Sequence, residues 1–400
     1  MSSRFAYDAI DGTGSRVSGV LRGVDRRDAI SRLVRRGEHP TSVVERPLGS
    51  TGIKGRVSKM DLAVFTGQLA AVVRAGLPLL AALATIRPQL SNSLLREVVD
   101  EIGVSLSEDS VAFADTLSEH PSVFDAVYVG LVHAGEQGGR LPDALDEIAV
   151  YLRRSARVQS QVISACVYPS FLLLMGLVAV GALLVFVVPK FEALFESLGG
   201  ELPLPTRVLL GASSLLTTYW LALLLPVSAA IVLAGWASGR PGTRAFVDAA
   251  LLRVPGLRSL VTKLETARVA RTLGSLLNGG VAVVSALTTT AGAARNTVFQ
   301  RAINAAARSV EQGGTIHEGM AASGVFPNLM LSLTRTGEGS GDLPGMLSQI
   351  SEIYDEETEL ALSNLVKLLE PVLITLIGIV VAGIVASVML PVFQSSEIVG

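Results

Sequence analysis

The residues of this 400-residue chain with the most chemical potential come as a pair, GEQGGRLPDAL at 135–145 and GEGSGDLPGML at 337–347. Each places one carboxylate, Glu136 or Glu338, among glycines and ahead of a Leu-Pro step. Gly135, Gly138 and Gly139, like Gly337, Gly339 and Gly341, permit backbone angles that end a helix and turn the chain. Proline is tolerated in the first turn of the helix that follows. A turn has no need of a glutamate. Two readings therefore stand: a tight interhelical corner, and a cytoplasmic surface on which Glu136 and Glu338 meet a partner or bind a cation.

Other chemistry lacks its parts. A phosphate-binding P-loop needs a lysine followed by Ser or Thr, and none of Lys54, Lys59, Lys190, Lys263 and Lys367 is so followed. The four histidines, His39, His120, His133 and His317, have no HExxH spacing for a metal. No GxSxG nucleophile elbow occurs. Cys166 is the single cysteine, which rules out an intramolecular disulfide and a cysteine zinc site. The chain is expected to be no enzyme, with no cofactor and no metal. A net charge of −2 gives no reason to expect nucleic acid as a partner.

The elements that position the glutamates must be sought in a chain that is 50% hydrophobic. No charge occurs between Val158 and Pro189, between Val208 and Gly239, or between Pro371 and Ser396. Crossing a bilayer takes about 20 apolar residues per helix. These tracts predict transmembrane helices at 168–189, 210–236 and 371–393. The first opens Tyr168-Pro169 and closes at Pro189; the third opens Glu370-Pro371 and closes at Pro391. Arginines 153, 154 and 157 precede the first span, and Arg240, Arg244, Arg253 and Arg258 follow the second. The excess of basic flanks predicts an inside N-terminus, an outside loop at 190–208 and an inside middle region. The outset, MSSRFAYDAIDG, has no signal-peptide core, so the chain is expected to begin in the cytoplasm.

The two turns and the two proline brackets share one register, 202 positions apart from Phe124 and Phe326 onward. Upstream, RAGLPLLAAL at 74–83 resembles NGGVAVVSAL at 278–287, 204 positions on. A register held at turns as well as apolar positions is an internal duplication. Leu141, Leu145, Ile148 and Leu152 form a helical stripe, with no break before the first span. The fold class expected is mostly α: an integral membrane protein with two duplicated cytoplasmic helical bundles, at 59–165 and 262–367, and three spans. Before them, 1–46 alternates like strands around a short helix begun at Asp25, a small βαβ-like α/β module, and 47–58 is a Gly/Ser linker.

Small residues in the third span, Gly378 and Ala382 with Gly383 and Ala386, form a weak signal for close helix approach. A transporter built on repeats would place polar groups at mid-membrane. Here most of each repeat lies outside the spans, which disfavours that class.

At this point the residues resemble a known family, the type II secretion protein F family. Its signature is matched by QVISACVYPSFLLLMGLVAVGALLVFVVP at 161–189, with Tyr-Pro, a small residue at Gly176 and a final proline; Cys166 stands where an aliphatic is usual. The second copy begins Glu-Pro and ends Leu-Pro, and the paired GExxG turns and LPLPT at 202–206 also match. The resemblance covers about 60–395, more loosely the N-terminal module. It implies an inner-membrane platform without enzymatic activity, on which pilin-like subunits join a growing fibre driven by a separate cytoplasmic ATPase. The fibre is that of a type II secretion system, or alternatively of a type IV pilus or competence system. It further implies an oligomer that meets other inner-membrane components and lipid, with the N-terminal module as a docking piece.

Overall fold

A computed structural model describes residues 3–10, 12, 16–23, 25–35, 37–46, 56–108, 111–190, 207, 208, 210, 211, 213 and 241–399. The sequence expectations for LPLPT and for most of the second span, the linker and the outer loop fall outside these residues. The chain divides into two compact units, Met1–Val158 with Thr262–Asp355, and Gln159–Val261 with Glu356–Gly400.

Within the first unit, alternating residues form strands β1 (Ser3–Ile10), β2 (Arg16–Gly23) and β3 (His39–Arg46) around helix α1 (Arg26–Arg35). Asp25 caps α1 by accepting from the Asp28 amide at 2.8 Å. The sheet order is β2-β1-β3, and both neighbours run antiparallel to β1. A simple βαβ unit would pair β2 with β3 directly; β1 lies between them instead. Tyr7, Ala9, Ala29, Leu33 and Val43 form its small core.

The first helical copy comprises α2 (Lys59–Arg74), α3 (Leu79–Ile86), α4 (Ser93–Glu108), α5 (Phe113–Ser118) and α6 (Ala126–Gln137). Ser58 and Asp61 make a capping box that starts α2, and left-handed Gly76 (φ 91°) follows its end. Large apolar side chains from α2, α3, α5 and the bend before α6, among them Phe65, Leu69, Leu83, Phe113 and Phe124, are fully buried. The Tyr128 ring packs on Phe124 at 4.8 Å, and its hydroxyl shares a buried hydrogen bond of 3.0 Å with Thr66 Oγ1. Burial pushes the Tyr128 phenol above its ordinary pKa. After α6, helix α7 (Leu141–Ala182) begins. Arg74 ties α2 to its start, bonding Asp143 at 2.8 Å and also Asp146.

Helix α8 (Pro241–Leu251) leads to the second copy, α9 (Pro255–Asn278), α10 (Val283–Ala293), α11 (Thr297–Glu311), α12 (Ile316–Ala321) and α13 (Asn328–Ser340). Its helices follow the order of the first copy. Phe326, at the position of Phe124, packs edge-on against Phe299 at 5.3 Å. Helix α14 (Leu343–Val399) then extends for 57 residues.

Helices α7 and α14, which run from the first unit into the second, are long and apolar enough to cross a membrane, over Leu141–Lys190 and Leu343–Met389. Among the described residues the chain is thus mostly helical, with a duplicated bundle and two such helices. Pro169 sits inside α7, and Pro371 and Pro391 lie within α14. Before Pro189, residues Leu183–Val187 form a π-turn, with the Val188 amide bonded to Leu183 O. Regular α-geometry would pair that amide with Leu184 O, and Pro189 has no N–H to take its place. The freed Leu184 carbonyl accepts from Ser213 Oγ at 2.5 Å.

Candidate functional site

Gly135 and Glu136 stand on the last turn of α6, and Gly337 and Glu338 on that of α13. A Cβ on Gly135 would lie 2.3 Å from Ala144 Cβ, and one on Gly337 2.9 Å from Leu343 Cα. Only glycine lets the next helix fold back so closely. The left-handed residues that end the two helices are Gly139 (φ 64°) and Gly341 (φ 79°), which are repeat equivalents. Gly138 keeps a right-handed backbone (φ −80°), and Gly339 is helical with open space around it. The Arg140 amide bonds back to Gly135 O at 2.8 Å, closing the corner.

That corner aims the glutamate at another helix. Glu136 Oε1 accepts from the Phe113 amide at 2.9 Å and Oε2 from the Ala114 amide at 3.2 Å. These are the first N–H groups of α5, whose N-cap residue Ala112 offers no side-chain acceptor. Such amides have no partner within their helix, and the helix dipole favours a negative charge there. Glu338 repeats the contact on α12, accepting from Ile316 N at 2.6 Å and His317 N at 3.1 Å. In the second copy His317 Nδ1 also lies 2.8 Å from Glu338 Oε2; the aligned residue in the first is Ala114. Both oxygens of each carboxylate therefore engage backbone amides, a long-range cap that sequence reasoning missed. In the first copy a signal was available, since α5 lacks a capping side chain of its own ahead of its GExxG; α12 carries its own cap in Thr315. Among the described residues no cluster of three His, Cys, Asp or Glu groups suits a metal ion.

The proline-bracketed segments pair with each other within the second unit. Gln161 bonds Glu359 at 2.9 Å, and the Tyr168 hydroxyl donates to Glu370 Oε1 at 3.0 Å. Further along, a Cβ on Gly176 would meet Ile377 Cδ1 at 2.3 Å, and Leu184 and Val188 cluster with Ile384. Contacts ascend together along both helices, so α7 and α14 run parallel. The close approach uses Gly176 rather than the small residues of the last span: Gly378 and Gly383 have open space beside them.

In the first unit the two copies meet along a polar seam. Asn278 bonds Glu147 at 2.8 Å, Arg154 bonds Glu352 at 2.9 Å, and buried Arg271 pairs with Asp355. A cavity of about 240 Å³ lies among Tyr151, Arg271, Ser275 and Ser351. No spacing in the sequence announced these pairs, because each joins helices distant along the chain.

A family model for type II secretion system protein F matches residues 65–189 and again 269–391, the two copies of bundle and long helix. The chain belongs to the type II secretion system protein F family. The model for the N-terminal domain of protein F matches residues 1–44. Among its relatives, the type IV pilus assembly protein PilC of Pseudomonas aeruginosa is 33% identical over 371 residues, 92% of this chain and 99% of that protein. Type II secretion system protein F of Xanthomonas campestris pv. campestris is 32% identical over 407 residues, 99% of each chain. That of Vibrio cholerae is 28% identical over 401 residues, 98% of each. Protein F family membership thus extends over nearly the whole chain, including both glutamate corners and both proline brackets.

Proposed function

We propose that this protein F family member is an inner-membrane assembly platform. It couples a cytoplasmic assembly ATPase to the addition of pilin-like subunits to a fibre, and is itself neither ATPase nor transporter. The observation that carries the reading is a duplicated bundle, each copy followed in the chain by one of two parallel apolar helices, with relatives named for type IV pilus assembly and for the type II secretion system. Parallel helices that each continue from a helical bundle require the chain to return across the membrane between them. The apolar tract at 210–236 has the length for that third span. Both bundles then face the cytoplasm, as the arginine-rich flanks favour, and offer large surfaces to the ATPase. The N-terminal module is a docking piece beside them, and the platform works as a homo-oligomer.

We favour the secretion fibre of a type II system. Relatives named for type IV pilus assembly match at similar identity, so the pilus is the second reading. A secretin and minor pseudopilins among the neighbouring genes favour secretion; a retraction ATPase favours the pilus. Deleting the gene is expected to abolish fibre assembly or secretion while the partner ATPase stays active in vitro. Intact assembly in the deletion strain would sink the proposal.

A further inference from the structure

The two helical copies touch through unlike faces. Helix α6 of the first copy packs on α10 of the second, with Gly130 against Leu276 and Leu131 against Gly279 at the end of α9. Helix α13, the repeat equivalent of α6, makes no comparable packing on α3, the equivalent of α10, among the described residues. A pseudo-two-fold contact would be reciprocal, and this one is head to tail. Burial follows the same asymmetry. Val127 and Leu131 of α6 are 1% and 0% exposed, whereas Leu329, at the position of Val127, is 40% exposed. Leu333, at the position of Leu131, is only half-buried. On the receiving side Leu276 and Ser275 are buried, while their first-copy equivalents Val72 and Ala71 are half-buried and exposed. Leu77 and Leu80 beside them are 39% and 42% exposed.

We infer that α13 of one chain seats on α2 and α3 of a second copy of this chain. The contact repeats between molecules the one that α6 makes on α9 and α10 within a molecule. Leu333 takes the place of Leu131, and Ala75 takes that of Gly279, so a large side chain again meets a small one. Each chain keeps one face of each kind open, so the contact propagates head to tail until a ring closes. The inference rests on the homo-oligomeric part of the proposed function and names its interface.

The test uses full-length protein in membranes with Cys166→Ala. Chains carrying Leu333→Cys under one tag and Ala75→Cys under another are co-expressed and oxidised. A mixed disulfide dimer is expected, and a chain carrying both substitutions should give a ladder of covalent oligomers. Leu131→Cys with Gly279→Cys in one chain, joined within the molecule, verifies that the oxidant reaches such a contact. Cross-links only between two Leu333→Cys chains, or none with that internal control positive, would overturn the interface. Independently, Leu329→Glu with Leu333→Glu should lower the oligomer mass at unchanged far-UV circular dichroism; an unchanged mass overturns the inference. Lost fibre assembly in the presence of the mixed disulfide would count against neither; assembly that survives gene deletion would count against the function alone.

Discussion

The Tyr168 hydroxyl donates to the Glu370 carboxylate at 3.0 Å, and the two residues stand 202 positions apart, at the same place in the two repeats. Equivalent points of a duplicated chain thus face each other where the proline-bracketed segments begin. A carboxylate at the edge of an apolar span is costly to leave without a donor, and its repeat mate supplies one. Replacing Tyr168 with Phe should weaken the pairing of α7 and α14, seen as lower thermal stability in detergent. Adding Glu370→Gln should recover part of that loss, since an amide tolerates the missing donor better. Additive losses in the double variant would contradict a direct coupling.

The glutamate corners make a second prediction. Glu136→Ala strips α5 of its side-chain acceptor and leaves two amides unpaired, at a cost of about 1–3 kcal/mol. Glu338→Ala should cost a similar amount, while α12 retains the cap of Thr315 on Glu318. Chemical denaturation of the full-length protein measures both. Unchanged stability with impaired fibre assembly would instead make the carboxylates a partner contact.

The glycines of these corners differ in what substitution meets. Gly135→Ala and Gly337→Ala drive a methyl into the facing helix and should each cost about 1–3 kcal/mol. Gly341→Ala forces a left-handed backbone on alanine, costing about 1 kcal/mol. Gly339→Ala, which has open space and a helical backbone, should leave stability unchanged or raised. Equal effects at all four positions would contradict the geometry.

The Glu318 carboxyl is held below its ordinary pKa by hydrogen bonds from the Thr315 side chain and backbone. A carboxyl depressed in the folded state contributes stability above its unfolded pKa of 4.5, and that contribution fades as pH falls through the lower folded value. Glu318→Gln should therefore flatten the pH dependence of unfolding below about pH 4.5 and lower stability at neutral pH. An unaltered acid limb would show that the cap contributes nothing.

Much of this fold was legible because it is written twice. The helix boundaries around Gly76, Gly139 and Gly341 carry local signals, and a repeat doubles every one of them. The proline brackets likewise marked the paired helices, though not the π-turn before Pro189 or the Ser213 hydroxyl that answers it. The role of Glu136 could not be read from its own turn, since the amides it caps lie on a helix more than 20 residues earlier. The seam pairs, such as Arg271 with Asp355, depend on how two bundles dock. Docking is decided by tertiary packing, which leaves no periodic trace in a single sequence.

The central claim is that one chain presents two equivalent bundles to the same compartment on parallel membrane-crossing helices. Reporter fusions after Gly200 and Ala250 test it most directly. A periplasm-active phosphatase should work at Gly200 and fail at Ala250, while a cytoplasm-active fluorescent protein should do the reverse. Both sites on one side of the membrane, or the opposite pattern, would contradict the account.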